Sequence, residues 1–143
     1  MKRTFLLFLV AILVLSCASP TPETPEGLYG PAHLMEVART DYDQAVRLTK
    51  EGMMRGEISP YEANLFLARI TYNYTSDYGV AAAYMRKALD LEESKDPATR
   101  ATLLYRLASI LRNERDYSAL FSACSEGKEA AYLAEMPFFG AFL

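Results

Sequence analysis

The chain has 143 residues, with 15 Lys and Arg against 18 Asp and Glu, for a formal net charge of −3. An acidic balance with no basic stripe argues against nucleic acid as a partner. One histidine and two cysteines leave little from which to build a metal cluster or a disulfide framework.

Taken in chain order, the first feature is Met1-Lys2-Arg3-Thr4 followed by an unbroken apolar run from Phe5 to Leu15. Eleven residues give a helix of about 16 Å, against about 30 Å for a bilayer core, so the run fits an export signal and not a permanent span. Val14-Leu15-Ser16-Cys17 resembles the lipobox of bacterial lipoproteins. The resemblance implies cleavage after residue 16, diacylglycerol on the Cys17 thiol and acylation of the new amine, which together anchor stably. The alternative is an ordinary cleaved signal, with Cys17 lost or free. Ala18 follows where an Asp would retain such a protein at the inner membrane, so in a Gram-negative cell the expected address is the outer membrane, facing the periplasm. Removing Lys2 and Arg3 takes the net charge from −3 to −5. Residues 17–29 contain Ser19-Pro-Thr-Pro-Glu-Thr-Pro-Glu-Gly27, which reads as an extended tether.

Residues 30–135 read as a single all-α domain, because apolar residues recur at helical spacing and no stretch alternates with period two for long. Helix starts are marked in two ways. Gly30-Pro31, Ser59-Pro60 and Asp96-Pro97 place a capping residue before a proline, and Glu62 completes a capping box with Ser59. Asp41-Tyr42, Asp77-Tyr78 and Asp116-Tyr117 place Asp-Tyr at a turn before an apolar-periodic run, 36 and 39 residues apart. The two signals interleave, so six helices are expected to begin near residues 31, 42, 60, 78, 97 and 117, in three pairs.

The stretch Glu62–Glu93 resembles a tetratricopeptide repeat. Leu65, Ala68 and Tyr72 fall on the large, small and aromatic positions of its first helix, and Ala81, Met85, Ala88 and Leu89 on the packing positions of its second. A fainter copy covers about 101–127 through Leu104, Leu107, Ala108, Leu111 and Ala119-Leu120, with Gly127 at its late small position. The first copy is degenerate, since Pro31 leaves only a short helix before Asp41. The resemblance implies a short array of about three helical pairs. The alternative is a closed helical bundle with coincidental Asp-Tyr turns.

No catalytic constellation rises above background: there is no metal-spaced cluster, phosphate loop or serine elbow, and the lone His33 reads as structural or exposed. No enzyme activity, cofactor or metal is therefore expected. In an array of this kind the first helix of each pair lines a concave face, which the resemblance assigns to Phe66, Ile70, Asn73 and Tyr74 from one copy and to Tyr105, Ser109 and Arg112 from the next. The competing reading places Phe66 and Ile70 in the core. Such a groove suits an extended or helical peptide from an envelope protein, and the expected role is an adaptor or scaffold; a small hydrophobic-ligand-binding lipoprotein serving a transporter is the alternative. Cys124 reads as a small buried apolar residue. Residues 136–143 carry Phe138, Phe139, Phe142 and Leu143, an apolar tail expected to cap the last pair or to dock elsewhere, including onto a second copy.

Overall fold

The computed structural model describes residues 27–136, which form six α-helices and no strand. They are α1 (Pro31–Thr40), α2 (Tyr42–Met54), α3 (Pro60–Tyr74), α4 (Tyr78–Leu89), α5 (Pro97–Glu114) and α6 (Tyr117–Leu133), with a 3-10 turn at Glu92–Ser94 between α4 and α5. Cys17, the signal and most of the tether lie outside the described residues, as do residues 137–143.

Each start follows from a cap. Ser59 Oγ accepts from the Glu62 amide, and a Glu62 carboxylate oxygen accepts from the Ser59 amide, both at 3.1 Å. The three Asp-Tyr turns share one mechanism: Asp41, Asp77 and Asp116 each accept a hydrogen bond from the amide three residues on, at Gln44, Val80 and Ala119. These bonds satisfy donors that a helix start otherwise leaves open. Asp96 does the same for Thr99. Gly30 departs from the expected pattern: it has no side chain to cap with, so Pro31 alone pre-sets the first turn of α1.

Three helix ends use the same reversal. Gly56 (φ 74°), Arg115 (φ 63°) and Glu135 (φ 55°) are left-handed. Around each, the following amide donates back five residues, from Glu57 to Gly52, Asp116 to Leu111 and Met136 to Ala131. This is the Schellman closure, which satisfies terminal carbonyls and turns the chain back.

The helices pack mainly on their sequence neighbours: α1 on α2, α2 on α3, α3 on α4, α4 on α5 and α5 on α6, with α1 also touching α3. The larger core cluster runs through α3 to α6 and contains Ala68, Ala81, Met85, Leu104, Leu107, Leu111, Ala123 and Ala131. Ala68, Ala81 and Ala88 are fully buried, as small residues must be where helices approach closely. A smaller cluster of Ala38, Ala45, Leu67 and Ile70 joins α1 and α2 to α3. The longer, 39-residue interval between Asp-Tyr turns contains the 3-10 turn, where the buried Ser94 hydroxyl donates to the Leu89 carbonyl at 2.6 Å. Cys124 is half-buried against the larger cluster, and so is Met136, the first residue of the apolar tail.

Candidate binding cleft

Both α3 and α5 lean on α4, yet they are not in extensive contact with each other. Between them lies a cleft of about 550 Å³. Its floor is apolar: Ala68 from α3, Met85 from α4 and Ile110 from α5. Ala68 makes the cleft deep, because a small side chain there lets α4 form the bottom. One wall carries Leu65, Phe66, Tyr72 and Asn73 of α3, with Glu62 and Arg69 at the rim; Arg106 and Ser109 come from α5. At the far end Asn113 of α5 donates to the Tyr72 hydroxyl at 2.9 Å, tying the two helices together. The Tyr72 ring is held from behind by Tyr78 of α4, with centroids 5.7 Å apart.

The electrostatics of the rim are uneven. Glu62 is already engaged by its own helix cap. Arg69 and Arg106 take part in no ion pair among the described residues, although the molecule as a whole is acidic. Arg106 stands close to Tyr61. Burial raises that phenol above its ordinary value, with the Arg106 cation opposing and the Glu93 carboxylate adding.

Of the residues expected to form a groove, the structure brings Phe66, Asn73 and Ser109 together in this cleft. Ile70 is not there. It is fully buried in the cluster that joins α3 to α1 and α2, the core position of the competing reading. Tyr74, Tyr105 and Arg112 are exposed but do not line the cleft. The reason is register. The α5 residues facing the cleft are Arg106, Ser109, Ile110 and the tying Asn113, one step on from Tyr105 and Arg112, and each step is about 100° of rotation. On α3 the stripe likewise runs through Leu65, Arg69 and Tyr72, which the sequence placed among core fillers or left unassigned. Tyr72 therefore serves as a cleft wall and not as core.

A second cleft of about 330 Å³ lies on the other side of Phe66, lined also by Tyr29, Leu34 and Ile58. No group of three or more His, Cys, Asp and Glu that could hold a metal ion occurs among the described residues, and none of the described helices is long and apolar enough to cross a membrane. His33 is exposed on α1.

No protein-family model matches the chain, and neither a curated protein nor a solved structure does.

Proposed function

We propose that the protein is a non-enzymatic adaptor of the bacterial envelope, a lipoprotein held by acyl chains on Cys17 at the outer membrane and facing the periplasm. Its helix pairs act as tetratricopeptide-like repeats, and the cleft between α3 and α5 holds a segment of a partner protein. The observation that carries this reading is the cleft itself: an apolar floor under an open rim, with Glu62, Arg69, Tyr72, Asn73 and Arg106 all exposed. Apolar anchors over a polar margin are the usual anatomy of a peptide-binding groove. The fit of cap spacing to helix starts supports the repeat reading, and the lipobox-like Val14-Leu15-Ser16-Cys17 supports the anchor.

A small hydrophobic ligand is the second reading. The cleft volume of about 550 Å³ lies within the range of ligand pockets, about 300–1,000 Å³. Its exposed rim argues for the peptide, since small-ligand sites bury most of the ligand surface.

The test obstructs the cleft without touching the core. Asn73→Trp with Ser109→Trp fills it from one exposed and one half-buried position, neither of them a member of the core clusters. Capture of a partner from detergent-solubilised envelope is expected to fall at least about tenfold, a loss of about 1.4 kcal/mol, with helicity by circular dichroism unchanged. Equal capture by the obstructed protein refutes the cleft. For the anchor, the mature chain is expected to begin at a diacylglyceryl-modified Cys17, and Cys17→Ser to leave the protein unlipidated; an unmodified amino terminus on the exported parent refutes it.

A further inference from the structure

Two guanidinium groups that form no ion pair among the described residues stand on opposite sides of one apolar cleft. Arg69 lies on the α3 side and Arg106 on the α5 side. Among the described residues the one carboxylate lining the cleft, Glu62, accepts from the Ser59 amide. The residues lining the cleft thus carry two cations against one carboxylate, a local excess of positive charge although the chain carries a net charge of −3. With no ion pair among the described residues and both side chains exposed, the two arginines can pair with an incoming anion. Guanidinium groups favour carboxylates because they offer paired, planar N–H donors.

We infer that the cleft recognises an amphipathic helical segment of a partner protein that carries an Asp or Glu side chain on the face it lays into the cleft, the carboxylate lying between Arg69 and Arg106 while flanking apolar side chains sit on Ala68, Met85 and Ile110. This rests on the peptide-binding reading and adds the charge of the partner. A helix fits because α3 and α5 are held apart and offer a trough between them, into which side chains spaced three and four residues apart can point.

The probe is a library of random dodecapeptides displayed on phage, panned on the full-length chain in detergent. Three proteins are compared: the parent, Arg69→Glu with Arg106→Glu, and Ser109→Trp. Both arginines are exposed, so their reversal leaves the fold intact, which circular dichroism checks. The parent is expected to select peptides with an Asp or Glu flanked by large apolar residues. Their affinity should fall by about tenfold or more on charge reversal and weaken as salt rises. The reversed protein should select Lys or Arg at the same place. Peptides that need an open cleft, lost with Ser109→Trp, but carry no acidic preference overturn the inference and leave the peptide-binding reading standing. Peptides that bind Ser109→Trp as well as the parent, or no selected peptide at all, overturn both.

Discussion

Tyr29 is the last large residue before α1, and its ring rests on Gly52 of α2 with the Arg55 guanidinium 5.9 Å above it. A methyl group at Gly52 would come within 2.8 Å of both the Tyr29 ring and the Ile58 side chain. Gly52→Ala is thus expected to destabilise the protein by about 1–2 kcal/mol, the overpacking cost exceeding about 1 kcal/mol of improved helix propensity. Urea denaturation checks this, and Tyr29→Ala in the same chain should recover part of the loss. Asp96 makes a second prediction at this scale. The Thr99 amide, donated at 2.9 Å, is the main cause that holds its carboxyl below the ordinary value of about 3.9, and the Thr99 hydroxyl at 2.8 Å adds to it. A lowered folded-state pKa contributes stability above about pH 4 that is lost as pH falls through the folded value. The stability gap between the parent and Asp96→Asn should therefore be wider at pH 6 than at pH 3; a gap that does not change with pH contradicts the assignment.

At the scale of elements, starts were legible and ends were not. Asp and Ser caps announce themselves because the chemistry needs a short side-chain oxygen before the first turn, and all six helices begin where Pro or Tyr follows the cap signal. The reversal after α5 had no such signal: Arg115 takes a left-handed conformation usually given to Gly. Arg115→Gly should raise stability by up to about 1 kcal/mol by relieving that conformation, measured as a shift in urea midpoint. Ser59→Ala should cost about 1 kcal/mol by opening the capping box of α3. The Asp-Tyr motif also does more than its spacing revealed. Tyr42 bonds Thr71 of α3 at 3.0 Å and Tyr78 braces Tyr72, so these two tyrosines lock α2 and α4 onto α3. Tyr117, on the last helix, stays 58% exposed, as does Phe121 beside it at 73%.

At the scale of the whole molecule, the all-helical architecture and the six helices of the described residues were readable because capping and periodicity are local. The cleft was readable only in outline. That α3 and α4 would pack closely follows from the small residues at 68, 81 and 88, but which side chains face the gap between α3 and α5 depends on rotation about each helix axis. An error of one residue, about 100°, separates Tyr105 and Arg112 from the observed Arg106 and Asn113. Ile70 was ambiguous because α3 packs on both sides, and burial against α1 and α2 decided it. The central claim is that the trough between α3 and α5 holds a segment of another protein. A photo-reactive amino acid placed at Asn73 in the cleft, and separately at the exposed Asp43 of α2, tests it most directly in intact cells. A discrete adduct from position 73, absent from position 43 and lost with Ser109→Trp, is the predicted result; equal labelling from both positions, or an adduct that survives the filled cleft, contradicts it.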